Sequence, residues 1–148
     1  MPGLQLRMTV DEKRKFVADF IRLHTLMVVS SLWDGKPQSA VVAFSQKGDF
    51  ELIFGTFNTT RKYRNLKGNP SISVVIGWDD NKTIQYEGTA EEVAKKDMDE
   101  YRRIHLERNP GSALYADREG QRYFKLTPRW IRYTDILPDP EFSFELAF

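Results

Sequence analysis

The chain contains no cysteine. That excludes disulfides, cysteine-ligated zinc, iron–sulfur clusters and thiol nucleophiles. Histidine is nearly absent as well: there are two, His24 and His105. No carboxylate pattern accompanies either one, so no metal site is read. His24 reads as a helix-end residue and His105 as a surface residue. Charge of one sign is also lacking, since 22 Lys+Arg against 21 Asp+Glu leave a net +1. Nothing in that balance draws the whole molecule toward nucleic acid or anionic membrane, so any anion site must be local. No apolar run approaches the roughly 20 residues of a membrane helix. The opening MPGLQLRMTVDEKRKF has no apolar stretch of the secretory kind. These absences point to a cytoplasmic protein.

What is present is globular in character. The chain has 148 residues, 41% hydrophobic and 29% charged, which suits one domain over 1–148 with its own core. The ends, 1–8 and 138–148, are expected to be irregular. Thr9-Val10-Asp11-Glu12 fits a capping box and predicts a helix over about 9–23, with Val10, Phe16, Val17, Phe20 and Ile21 on one face. Strands are predicted at 25–32, 38–44 and 50–55, joined by the turns Asp34-Gly35-Lys36-Pro37 and Gln46-Lys47-Gly48-Asp49. A short helix follows from Thr59 or Thr60 to Lys67, with Gly68 at its C′ position and Pro70 as a stop. Further strands are read at 71–78 and 83–90, the first with Ile72, Val74, Ile76 and Trp78 on one face. Gly88 marks a bulge or a close backbone approach. A charged amphipathic helix over 90–107 has Val93, Ala94, Tyr101 and Ile104 as its inner stripe. Two last strands, at 121–126 and 129–136, flank Thr127-Pro128. The total is about seven strands and three helices without strand–helix–strand alternation. That pattern predicts a closed or partly open antiparallel barrel.

One stretch stands apart, FGTFNTTRKYRNLKGNP at 54–70. Thr56, Thr59 and Thr60 precede Arg61 and Lys62 where a strand gives way to a helix. Free N–H groups at a helix start attract anions. Hydroxyls can add hydrogen bonds, and arginine can bind two phosphate oxygens with its planar fork. Cations in a first helical turn oppose the helix dipole, and a bound anion would account for them. The chemistry alone leaves a phosphate site and a solvated basic face both open.

The ordered set DGKP, QSAVVAF, ELIFGT, T-T-R-K-x-x-x-L-x-x-N-P and YEGTAEEV resembles the pyridoxamine 5'-phosphate oxidase-like family of FMN-binding split β-barrels, over roughly 25–135. The resemblance implies an antiparallel split barrel of six to seven strands with about three helices. It implies a homodimer with FMN at each of two equivalent sites across the interface. The phosphate would fall to Thr60, Arg61 and Lys62, with Thr56 upstream. The strand carrying Val41, Val42, Ala43 and Phe44 would lie along the flavin ring, largely through its backbone. Thr83 and Gln85 would approach from the partner subunit, with Trp130 or Arg132. No side-chain acid or base stands out as catalytic.

The same resemblance carries two departures. The substrate-binding Arg-Leu and His-Arg pattern of true pyridoxamine phosphate oxidases is missing from RWIRYTDILPDPEFSFELAF, so that substrate is not expected. Gly55 stands where those enzymes often have an aromatic residue, which would open the ring pocket. The chain looks more like the short general-stress members. It reads as an FMN-dependent oxidoreductase of unassigned substrate. The alternatives are a flavin-binding stress-response module with little turnover and a deazaflavin-dependent reductase. Some relatives in this fold bind haem through histidine, but no such ligand is placed here.

Overall fold

The computed structural model describes residues 8–148 and contains eight strands and four α-helices among them. The helix α1 (Val10–Arg22) begins at the predicted capping box. Thr9 Oγ1 accepts from the Glu12 N–H, and Glu12 reaches back to the Thr9 N–H. The strands β1 (Leu26–Trp33) and β2 (Lys36–Ala43) form a hairpin, and β3 (Ser45–Lys47) pairs with β4 (Glu51–Phe57). The short helix α2 (Arg61–Gly68) leads to β5 (Ser71–Ile76) and β6 (Lys82–Glu92). The helix α3 spans Met98–Arg108 and the single turn α4 spans Ala113–Ala116. Last come β7 (Gln121–Asp135) and β8 (Phe142–Ala147).

All pairings are antiparallel, in the order β2-β1-β5-β6-β7-β4-β3, with β8 added beside β7. The curled sheet is a split barrel, as the strand spacing predicts. Alternation along each strand sends one set of side chains inward. Met27, Val29, Val74, Ile84, Tyr86, Leu126 and Ile131 are all buried there, and Val17 and Ile21 of α1 and Leu66 of α2 close the ends. The hydroxyl of Tyr86 donates to the carbonyls of Phe50 and Leu126, 2.7 and 3.0 Å away. A second cluster, Ile53, Val93, Tyr101 and Tyr123, lies on the other face of β4 and β7.

Several local expectations are corrected. Thr127-Pro128 does not end a strand. β7 runs through it, paired with β6 along its length and on its other side with β4 and then β8. Proline is tolerated because the register shifts there, at Glu87/Gly88, and a bulge has no need of that N–H. A Cβ at Gly88 would lie 1.9 Å from the Thr127 carbonyl oxygen, which is the close approach the glycine foretold. Of the ends expected to be irregular, 1–7 lie outside the described residues, and within 138–148 the Phe-x-Phe-x-Leu alternation of Phe142–Ala147 makes β8, leaving 138–141 irregular. The helix expected at 90–107 begins only at Met98, since β6 continues to Glu92. Ala94 is exposed rather than part of an inner stripe. Gly68 is the last helical residue, and Asn69 follows in an extended conformation. Trp78 lies beyond the end of β5 and is 46% exposed.

His105 is buried rather than superficial, 3% exposed, with Nδ1 3.2 Å from Ser45 Oγ. Burial holds its pKa down to about 4. The unfolded chain therefore binds a proton between roughly pH 6.5 and 4 that the native state does not, and stability falls as pH drops through that window. The expected loss is about 2–3 kcal/mol by pH 4. Urea unfolding at pH 7 and pH 4.5 measures it, and His105→Gln should flatten that part of the slope.

Candidate functional site

The turn between β4 and α2 is built by its threonines. Thr60 is the N-cap of α2, and its Oγ1 accepts from the Tyr63 N–H at 3.2 Å. The same hydroxyl donates to the Phe57 carbonyl and lies 2.8 Å from Oγ1 of Thr56, which is buried. The two hydroxyls thus hold the turn closed. Thr59 is exposed at its tip. The N–H groups of Arg61 and Lys62, first in the helix, have no hydrogen-bond partner among the described residues. That is the ordinary state of a helix start and leaves two donors pointing outward.

The side chains continue this pattern. No acidic residue occupies the first turn of α2, and neither Arg61 nor Lys62 has an ion pair among the described residues. Lys62 is half-buried, and burial pushes its ammonium pKa down, with the Arg61 charge adding to the effect. A desolvated cation beside another cation is relieved by an anion. Arg61 and Lys62 line a cleft of about 150 Å³ with Asn65 of α2, Val29 and Ser31 of β1, and Gln38, Ser39 and Ala40 of β2. The other basic residues of the helix are engaged. Lys67 pairs with Glu92 at 3.0 Å, and Arg64 lies 3.6 Å over the Trp33 ring.

The structure brings β2 beside this turn. It is an edge strand, so one row of its backbone N–H and C=O groups is unpaired by the sheet. Val41 is 61% exposed, while Val42 and Ala43 are half-buried. Phe44 differs. Its ring is in the core, its N–H donates to the Thr25 carbonyl, and its carbonyl accepts from Asn109. Gly55 opens no pocket, because a Cβ there would lie 2.4 Å from Gln121 Nε2 and 3.1 Å from the Tyr123 ring. The aromatic residue at this place comes from the neighbouring strand, as Tyr123 pairs directly with Gly55.

Thr83, Gln85 and Trp130 are not brought to the turn within one chain. Thr83 and Gln85 sit on the outer face of β6, which β1 and β5 separate from β2, and Trp130 on the outer face of β7, one strand further from β2. One register row of that face reads Val41, Val28, Val75, Gln85, Arg132 and Glu145. The adjacent row reads Ser39, Ser30, Ser73, Glu87, Trp130 and Ala147. Both rows are mixed apolar and polar, with few full charges.

Sequence reasoning passed over Asn65, which is 1% exposed and joins α2 to β1 and β2. Its Nδ2 donates to Ser31 Oγ and Gln38 Oε1, each at 3.0 Å. A signal was present: asparagine is a poor helix former, yet it stands mid-helix beside the inward Leu66. A roomier cleft, about 530 Å³, lies elsewhere, near Phe20, His24, Leu26, Trp78 and Tyr133. None of the predicted site residues lines it, and its one lysine, Lys82, is paired with Asp80 at 3.4 Å. A phosphoryl group fits the α2 turn better, because the cations and N–H groups without a partner among the described residues are there. No group of three or more His, Cys, Asp or Glu among the described residues could hold a metal. No helix of the described residues is long and apolar enough to cross a membrane.

Comparison with known proteins bears on the family and the fold. The sequence pattern of the family described as pyridoxamine 5'-phosphate oxidase matches residues 14–135. A pyridoxine/pyridoxamine 5'-phosphate oxidase of Bacteroides thetaiotaomicron is 35% identical over 116 residues, covering 72% of this chain and 54% of that protein. The chain spans about half the length of the curated relatives it matches. Among solved structures, General Stress Protein 26 from Bacillus anthracis superposes with a TM-score of 0.73 at 20% identity, covering 92% of this chain and 98% of that one. A heme binding protein from Mycobacterium smegmatis does so with a TM-score of 0.77 at 16% identity, covering 95% of this chain and 59% of that one. At such identities the likeness is one of fold. On the extent of the sequence match, this chain belongs to the pyridoxamine 5'-phosphate oxidase family.

Proposed function

We propose that the protein binds FMN and acts as a cytoplasmic oxidoreductase on a substrate other than pyridoxamine 5'-phosphate. The observation that carries the FMN reading is the α2 turn. Arg61 and Lys62, whose N–H groups and side-chain charges have no partner among the described residues, line a cleft beside an edge strand. Arg61, Lys62 and their N–H groups would hold the phosphate, and Thr56 and Thr60 would keep the turn in shape. Val41, Val42 and Ala43 would line the ring through the free edge of β2, and Phe44 would anchor that strand in the core. Bound FMN supplies hydride and electron transfer; the chain's part is to bind, orient and exclude water.

The cleft of about 150 Å³ is below the 300–1,000 Å³ usual for small-molecule sites. That supports a homodimer in which the second copy covers the cofactor. The outer-face rows carrying Gln85 and Trp130 are suited to that contact, being mixed in polarity and low in net charge. The substrate reading rests on segment 129–148. It lacks the Arg-Leu and His-Arg pattern and is taken up in pairing β7 with β8.

A visible absorption spectrum of freshly purified protein tests the proposal, with identification of any chromophore released on denaturation. Flavin bands and released FMN are the expected result. A colourless protein that also ignores added FMN would sink it. A Soret band would point instead to haem, the group named for the Mycobacterium smegmatis relative in fold. A deazaflavin shares the tricycle but has a longer phosphodiester tail, and competition titration separates it from FMN. Bound FMN that neither NADH nor NADPH reduces would favour a flavin-binding module with little turnover.

A further inference from the structure

We propose that Gln38 is a further donor to the phosphoryl group of the bound cofactor, oriented for that task by a relay through Asn65, Arg64 and Trp33. The inference rests on the FMN reading above and adds a residue to it. Gln38 lines the cleft with Arg61 and Lys62. A glutamine side chain is a donor at one end and an acceptor at the other, and its neighbours decide which end faces where.

Here the neighbours decide it in sequence. Both Nε and an NH2 nitrogen of Arg64 donate to Asn65 Oδ1, at 3.3 and 3.1 Å. Arginine cannot accept, so the Asn65 carbonyl must face it. The Asn65 amide nitrogen is thereby turned toward Ser31 Oγ and Gln38 Oε1, each 3.0 Å away. With its oxygen held, Gln38 has only its amide nitrogen left over, and that nitrogen has no partner among the described residues. Arg64 is itself held by its place over the Trp33 ring, 3.6 Å from the centroid, a cation–π contact with the best ring for it. Asn65 is buried, so its two amide bonds are costly to leave unmade. The result is a neutral donor in a cleft whose charged groups, Arg61 and Lys62, are both cations. An anion is the ligand that uses both.

The test is a fluorescence titration of wild type, Gln38→Leu and Asn65→Ala with FMN and with riboflavin, which lacks the phosphate. Gln38→Leu keeps the bulk and removes the donor. It is expected to weaken FMN binding about tenfold to a hundredfold, the range for one hydrogen bond to a charged group, and to leave riboflavin binding near wild type, while the melting temperature falls because the buried Asn65 amide loses one of its two acceptors. Asn65→Ala should weaken FMN binding similarly, and the double variant should lose little more than either single one. FMN affinity within twofold of wild type in Gln38→Leu would overturn the inference while leaving the FMN reading intact. Equal loss of riboflavin binding would overturn the phosphoryl assignment of Gln38. Additive losses in the double variant would overturn the relay. Wild-type protein that does not bind FMN at all would overturn both readings together.

Discussion

Replacing Arg61 and Lys62 together by alanine is expected to weaken FMN binding by about 10²–10⁴-fold, since each charge-assisted hydrogen bond contributes roughly 1.5–3 kcal/mol. The effect on the cofactor-free protein should have the opposite sign. Both cations lie in the first turn of α2, where the helix dipole disfavours them, and no acidic residue offsets them there. Lys62 is also partly desolvated beside Arg61. Removing them should raise stability without cofactor by about 1 kcal/mol. The pair of measurements is a fluorescence-quench titration with FMN and a thermal melt without it. A surface patch of no function would show neither the loss nor the opposed signs. FMN affinity within threefold of wild type would remove the phosphate reading. Arg61→Ala alone asks a second question by size-exclusion chromatography. Lost FMN with a retained dimer would make binding and assembly separable. Loss of both would make the cofactor part of the interface.

Gly88→Ala is expected to cost at least the upper end of the roughly 1–3 kcal/mol typical of overpacked sites. The added Cβ would lie 1.9 Å from the Thr127 carbonyl oxygen and 3.0 Å from Pro128 Cα. Both obstacles are backbone, so no rotamer change relieves them. The backbone cannot move easily, because β7 is paired on both sides, with β6 along its length and with β4 and β8 on its other edge. Gly48→Ala is a useful contrast. Its Cβ meets nothing within 4 Å, but its φ of +63° lies in the left-handed region, so it should cost only the ordinary price of that conformation, about 1 kcal/mol. Equal melting temperatures for the two variants would mean that the bulge relaxes freely.

Much of this fold was legible before the structure. Thr9 and Glu12 marked the start of α1, Thr60 marked α2, and the alternation from Ile72 to Ile76 marked β5. These signals are local: a cap, a turn and a period act within a few residues. The misread elements depended on distant partners. Ala90–Glu92 carried helical residue types, yet pairing with β7 extends β6 through them. Pro128 looked like a strand end, but a bulge against Gly88 absorbs it. Phe142–Leu146 became a strand because β7 offered it an edge. His105 looked superficial by sequence and is buried because α3 packs it near Ser45 and Tyr123.

The candidate site divides in the same way. The sequence by itself determined that hydroxyls, two cations and a helix start would occur together at 56–62, since these residues are neighbours along the chain. It also determined that 38–44 would be a strand returning from the Asp34–Pro37 turn. Only the tertiary structure decided that Thr56 and Thr60 bond to each other, that β2 is an edge, and that Asn65 ties Ser31 and Gln38 to the helix. Only the register across six strands put Gln85 and Trp130 on a face away from the turn. The physical reason is range. Capping and turn chemistry are set by bonds within about four residues, whereas edges, faces and buried amides are set by whichever distant segment supplies the partner.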